Sequence, residues 1–199
     1  MILKRVFDLI FVILGLLVLA PVFVLIVLLI KRDGDGAVLF KQERVGLHGK
    51  LFKLLKFRTM VVNAEKLGAK VTTGNDPRIT NSGHWLRKYK LDELPQLFNV
   101  LKGEMSLVGP RPEVPEYVAF YTEQQKQIIL SVPPGITDLA SIEFRNENEL
   151  LTGSQDPVKD YREKVLPIKL SYYEQYVKER SLWVDFKLIL KTIKAITAY

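Results

Sequence analysis

LIFVILGLLVLAPVFVLIVLLI, Leu9 to Ile30, runs for 22 residues without a charge or a strongly polar group. As a straight helix it measures about 33 Å, close to the thickness of a bilayer's hydrocarbon core. A secretory signal has a shorter apolar core, ~7–15 residues, followed by a small-residue cleavage site. Here Lys31-Arg32-Asp33 follows directly. The segment is therefore read as entering a membrane. Lys4 and Arg5 precede it while Lys31 and Arg32 follow it, so the flanking cations give a spanning helix no orientation. Pro21, in mid-segment, removes a backbone hydrogen bond and kinks the helix. A bent helix that dips into the bilayer and returns accounts for both features. An ordinary kinked span stays open on the residues alone.

Over the whole chain of 199 residues the composition is that of a folded protein, with 48% hydrophobic and 26% charged residues. The division expected is a membrane helix over 1–32 and a single domain over 33–199. A net charge of +7 points to an anionic partner, whether nucleic acid, acidic headgroups or a phosphorylated small molecule. Aromatic residues are not interleaved with basic ones, which argues against nucleic acid. Cysteine is absent, and His48 and His84 are the only histidines. Disulfides and thiolate metal sites are thereby excluded, and a structural zinc site is not expected.

The remaining patterns predict a mainly α fold with a little β. Ala37–Phe40 and Leu51–Phe57 read as short strands around a turn at Val45–Lys50. Lys56 and Arg58 would share one strand face. Thr59–Leu67 reads as a short helix, and Asn81 or Ser82 caps another running to about Lys90. Leu94, Leu97, Phe98 and Leu101 follow helical spacing, and Pro95 fits only a first turn, so a helix starts near Glu93 with Asp92 as its N-cap. A Gly/Pro loop (Gly103, Gly109, Pro110, Pro112) leads to a helix near Glu116–Leu130. Pro133-Pro134-Gly135 ends it, and Asp156–Arg180 is again mostly helical. Leu182, Phe186, Ile189, Ile193 and Ile196 share one helical face opposite Lys187, Lys191 and Lys194. That pattern suits a helix in the membrane interface and equally one that caps the core.

Asp92 and Glu93 are the candidate chemistry. An N-cap carboxylate facing free N–H groups and a positive helix end is expected to stay ionised, and phosphate would bind there too. An ionised aspartate beside a phosphate can attack phosphorus to give an acyl phosphate. The step requires cations and usually a hard divalent metal, which Glu93 could hold. Both residues are also ordinary at a helix start. In Ser106-Leu107-Val108-Gly109-Pro110-Arg111-Pro112-Glu113, flanking prolines hold one arginine stiffly, as a bidentate phosphate contact requires.

Several ordered motifs carry a resemblance over nearly the whole chain. They are Leu3-Lys4-Arg5-Val6-Phe7-Asp8, Phe57-Arg58-Thr59-Met60, Leu91-Asp92-Glu93-Leu94-Pro95-Gln96-Leu97-Phe98-Asn99-Val100, Met105 to Pro112, Pro134-Gly135-Ile136-Thr137 and Asp185-Phe186-Lys187. With them the chain resembles the small monotopic phosphoglycosyl transferases, bacterial sugar transferases that start glycoconjugate assembly on polyprenol phosphate. The resemblance implies a re-entrant N-terminal helix broken at Pro21 and a compact helical catalytic domain with amphipathic interfacial helices. It places both on the cytoplasmic face of the bacterial inner membrane.

The resemblance also implies a chemistry. Asp92 would attack the β-phosphorus of a UDP-sugar, releasing UMP and leaving a covalent phosphosugar that polyprenol phosphate then takes up. Glu93 would bind Mg2+, and Arg58, Arg87, Arg111 and Arg145 would line the phosphate site. The partners implied are a UDP-sugar, polyprenol (undecaprenyl) phosphate and membrane lipids, without nucleic acid and with a homodimer left open. Ala20 stands where the family often has serine. Asp138-Leu139-Ala140-Ser141-Ile142 and Phe144-Arg145-Asn146 depart from the usual Gly-Leu-Ala-Gln-Val and Gly-Arg-Asn, which leaves the sugar open. Larger relatives carry further membrane helices, so a minimal catalytic version is expected. A membrane-anchored glycosyltransferase releasing UDP and a non-enzymatic acidic-lipid-binding protein are the alternatives.

Overall fold

The computed structural model describes residues 2–64, 76–144 and 156–197, and its architecture is mostly helical with two small sheets. The first helix, α1, spans Ile2–Arg32 and contains Pro21. Only one side of it is covered. Val12 rests among Phe52, Leu54, Val100 and Met105, while Ile26 and Ile30 rest against Phe57 and Leu86. Leu14, Leu17, Val18, Val24, Leu25 and Leu28 lie exposed on the other side. These six residues form one uncovered apolar strip along the helix, of the kind that marks interaction sites in other proteins.

Both ends of α1 are tied to the same body. Near its start, buried Asp8 accepts from Ser106 Oγ at 2.7 Å and from the Leu107 N–H at 3.3 Å. Lys4 Nζ donates to Asp185 at 2.6 Å, and Arg5 donates to the Leu101 carbonyl at 2.9 Å. At the far end the Ile30 carbonyl accepts from Arg58 at 3.1 Å, and Asp33 accepts from the Ser82 N–H at 2.8 Å.

The hairpin β1 (Leu39–Val45) and β2 (Leu51–Phe57) is antiparallel, with Leu39 opposite Phe57 and Val45 opposite Leu51. The first strand starts later and runs further than the predicted Ala37–Phe40. Its polar stretch Lys41 to Arg44 is drawn into the ladder by pairing, helped by a Glu43–Lys53 contact of 2.9 Å. The expected helix over Thr59–Leu67 is not found in its described part. Met60 instead bridges Ile79, the Val61 N–H donates to Arg78, and Thr59 accepts from the Thr80 N–H. Residues 65–67 lie outside the described residues. Helix α2 (Asn81–Lys88) is capped by Thr80, whose side chain accepts from the Gly83 N–H. A Cβ at Gly83 would lie 2.2 Å from the Thr59 carbonyl oxygen, so only glycine allows that approach.

Helix α3 (Gln96–Lys102) is locked to β2 by buried Asn99. Its Oδ1 accepts from the Leu55 N–H at 3.0 Å, and its Nδ2 donates to the Lys53 carbonyl at 2.8 Å and to Glu104 at 2.7 Å. Strands β3 (Ser106–Val108) and β4 (Gly135–Thr137) pair in parallel, so close at Gly109 and Gly135 that a Cβ on Gly135 would fall 2.1 Å from the Gly109 nitrogen. Between them the single helix expected near Glu116–Leu130 divides into α4 (Pro115–Val118) and α5 (Glu123–Ile129). Thr122 and Gln125 form a capping box that restarts the chain there.

Helix α6 (Leu139–Glu143) follows, capped by Asp138. Then come α7 (Pro157–Asp160), a π turn (Tyr161–Val165), α8 (Leu166–Glu179) and α9 (Leu182–Thr197). The buried side of α9 holds Asp185 and Leu188, with Val184 and Ile189 partly covered, so it is rotated from the predicted apolar face. Trp183, Phe186, Leu190 and Ile193 are exposed beside Lys187 and Lys191. Asp185 turns inward because Lys4 and the Tyr176 hydroxyl, 2.8 Å away, both bind it. The Ile196 side chain lies outside the described set.

Asn99→Ala removes three hydrogen bonds and strands the buried Leu55 N–H, which costs about 2–3 kcal/mol. A thermal melt of the purified protein should show a midpoint lower by roughly 5–10 °C.

Candidate active site

Asp92 and Glu93 sit on a 3-10 turn, Leu91–Glu93, between α2 and α3. Lys90 enters it in the left-handed region at φ 56°, a rare conformation for a lysine. Asp92 is therefore not the N-cap of α3, a position Pro95 takes. No helix N-terminus acts on the Asp92 carboxylate as a cap would. Its carboxylate is buried, 8% exposed, within the folded body.

Cations reach the pair from two other elements. From β2, Lys56 Nζ lies 2.8 Å from Glu93 Oε1 and 3.9 Å from Asp92 Oδ2. From the loop after β3, Arg111 Nη2 donates to Glu93 Oε1 at 2.7 Å. The two neighbours thus live in opposite environments. Burial, reinforced by the negative charge of Glu93, holds the Asp92 carboxyl above its ordinary range, although Lys56, Lys90 and Arg87 oppose the rise. Burial acts on Glu93 in the same sense, but Arg111 and Lys56 more than offset it and hold Glu93 well below the usual carboxylate range. Glu93 in turn raises the Arg111 guanidinium.

The other expected site residues are placed as follows. Arg87 faces the pair: Nε donates to Thr59 Oγ1 at 3.1 Å, and burial lowers the guanidinium while Asp92 and Asp76 raise it. Arg58 turns away from its expected partner Lys56 to the turn after α1, donating to the Gly34 carbonyl at 2.7 Å and the Asp35 carbonyl at 2.6 Å. Arg145 lies outside the described residues. Pro21 is inside α1, remote in sequence from the carboxylates. Lys56, which the strand alternation of β2 had singled out without assigning a role, is the cation that touches both carboxylates.

Magnesium prefers one or two carboxylates and fills its octahedron with water and substrate phosphate. Asp92 and Glu93 offer oxygen donors of that kind. Among the described residues no group of three or more His, Cys, Asp or Glu side chains gathers. The donor set fits an ion shared with a diphosphate, and does not fit a cage made by protein alone.

A family model described as bacterial sugar transferase matches residues 1–199. The chain belongs to the bacterial sugar transferase family. Among its relatives, the undecaprenyl-phosphate glucose phosphotransferase of Komagataeibacter xylinus is 43% identical over 197 residues, covering 96% of this chain and 35% of the relative. The undecaprenyl-phosphate galactose phosphotransferase of Salmonella typhimurium is 37% identical over 210 residues, 98% of this chain and 40% of its own length. The exopolysaccharide production protein ExoY of Sinorhizobium fredii is 35% identical over 208 residues, 97% of this chain and 84% of its own. The chain thus spans well under half the length of the first two.

In this chain the two carboxylates affect stability with opposite sign. A raised Asp92 value means that its contribution is full below the ordinary carboxylate range and is lost as pH rises through the folded value. Ionised Asp92 is therefore a cost at neutral pH. A depressed Glu93 value contributes above the ordinary range and is lost as pH falls through the folded value. Asp92→Asn is expected to raise the melting midpoint at pH 7.5, with the gain shrinking toward pH 4, and Glu93→Gln to lower it. Melts of both variants across that pH range check the signs.

Proposed function

We propose that the protein transfers a sugar 1-phosphate from a UDP-sugar to a polyprenol phosphate, releasing UMP. The observation that carries this reading is the unequal carboxylate pair: Glu93 is neutralised by Lys56 and Arg111, whereas Asp92 is shielded from water with cations nearby. The family membership and the relatives' names, which specify undecaprenyl phosphate with glucose or galactose, agree with this substrate class.

A carboxylate stripped of hydration is a stronger nucleophile toward phosphorus. Asp92 attacks the β-phosphorus of the donor, the bond from that phosphorus to the UMP oxygen breaks, and the sugar phosphate remains as an acyl phosphate. A polyprenol phosphate oxygen then attacks the same phosphorus, and the acyl–phosphate bond breaks to restore Asp92. Lys56, Arg87 and Arg111 neutralise the oxygens that gain charge in both steps. Magnesium, held by Glu93 together with the diphosphate, would supply further charge neutralisation to the leaving phosphate.

The acceptor's chain requires a membrane site, and we place α1 in the cytoplasmic leaflet with both ends on one face. A straight 31-residue helix is about 46 Å long, enough to cross the bilayer. A crossing would leave its two ends on opposite sides, yet Asp8 and Ile30 both bond to the one domain. The bare strip on α1 would face acyl chains. Trp183, Phe186 and Leu190, on a helix joined to the root of α1 through Lys4 and Asp185, would meet the interface.

Incubated with a panel of UDP-sugars, the wild-type protein should gain the mass of one sugar phosphate and, with polyprenol phosphate added, release UMP. Asp92→Asn should do neither. Release of UDP, or an adduct persisting in that variant, would reject the mechanism. Topology is checked separately, because the chain has no cysteine of its own. Leu3→Cys and Asp35→Cys should both resist an impermeant thiol reagent added outside spheroplasts and react after lysis.

A further inference from the structure

Four backbone groups of the loop that carries Arg111 are hydrogen-bonded, two on either side of it. The Gly109 N–H donates to the Thr137 carbonyl at 3.1 Å, and the Gly135 N–H donates to the Pro110 carbonyl at 2.9 Å. Arg44 Nη1 donates to the Pro112 carbonyl at 2.9 Å, and the Val45 N–H donates to the Glu113 carbonyl at 3.0 Å. Behind the loop lies a buried ionic set outside the reacting pair. Glu113, 6% exposed, accepts from the Tyr161 hydroxyl at 2.9 Å and lies 3.6 Å from Arg44. Arg44 also donates to Gln42 Oε1, at 2.7 and 3.2 Å.

Burying two opposite charges is no economical way to fix a loop. Apolar side chains of similar volume commonly serve as well or better. The set lies instead where its charge matters. Burial and, less strongly, the like charge of Arg111 lower the Arg44 guanidinium, and Glu113 counters them. Glu113 also acts on Arg111, in the direction that keeps its charge.

We infer that Arg44, Glu113 and Tyr161 are positioning residues for Arg111. They clamp the Pro110–Pro112 loop from behind and cancel the repulsion of Arg44, so that the Arg111 guanidinium is aimed at Glu93 and at the donor's phosphate. None of the three touches the reacting atoms. The inference rests on the phosphate-site reading of Arg111, and the test separates the two.

The probe is UMP, titrated calorimetrically into the full chain in detergent. Arg111→Ala should weaken binding about tenfold, and Glu113→Gln about fivefold. In the Arg111→Ala background, Glu113→Gln should add less than about twofold, because its effect passes through the missing guanidinium. Tyr161→Phe removes one hydrogen bond and should show a smaller loss, about two- to threefold, that vanishes in the same background. It keeps the test open if Glu113→Gln fails to fold. Arg44→Met with Glu113→Leu should melt no lower than wild type yet bind UMP as weakly as Glu113→Gln. Additive losses in the two backgrounds would overturn the positioning role while leaving the proposed function intact. Unchanged UMP affinity in Arg111→Ala would overturn the phosphate-site reading and this inference with it.

Discussion

The ion cluster at Glu93 is the constraint on which the rest depends. One carboxylate joins three elements that are distant in sequence: a strand through Lys56, the 3-10 turn it belongs to, and the Pro-Arg-Pro loop through Arg111. Partly buried charges tolerate little displacement, because a lost partner leaves the remaining ion unpaired and poorly solvated. The cluster therefore sets the position of Asp92, one residue away, while Lys56 lies closer to Glu93, at 2.8 Å, than to Asp92, at 3.9 Å. Structural work thus falls mainly on one of two adjacent residues of the same chemical type.

Around the cluster, the scaffold substitutes side chains for backbone wherever secondary structure is short. Asn99 completes the edge of β2, Asp8 supplies acceptors to β3, and Thr80, Thr122 and Asp138 finish helix ends. A body with strands of three and seven residues has few ladder bonds of its own, so these polar links supply much of its definition. Polar links likewise hold α1 at both ends, making the apolar helix part of the fold and not merely an attachment.

Legibility in the sequence followed the range of the forces involved. The apolar helix was readable because composition alone decides it, and β2 and the presence of α2 because turn and capping residues act locally, although the cap is Thr80 and not Asn81 or Ser82. The Asp92-Glu93 pair was readable as a pair. Its unequal environments were not, since they depend on Lys56 and Arg111 arriving through tertiary structure. Asp92 was misread as a cap because Pro95 marks a helix start to within a turn, not to a residue. The Thr122–Gln125 box was visible in the chain and would have divided the helix expected there. The face of α9 was misjudged for a longer-range reason: periodicity places aspartate outside, and only Lys4 and Tyr176 draw Asp185 in. Nothing local marks Arg58 as a clamp on the turn after α1 instead of a ligand for phosphate.

That contact between Lys4 and Asp185 joins residues 181 positions apart. The apolar helix precedes α9 in the chain, so on a ribosome it is made while the acid that secures its root is still untranslated. Until α9 is made, Lys4 has only the weaker attraction of Asp8, 3.8 Å away, to hold it. Making the apolar helix and locking its root are therefore separate events in the life of the chain. A polypeptide stalled before α9 would have that lock still open.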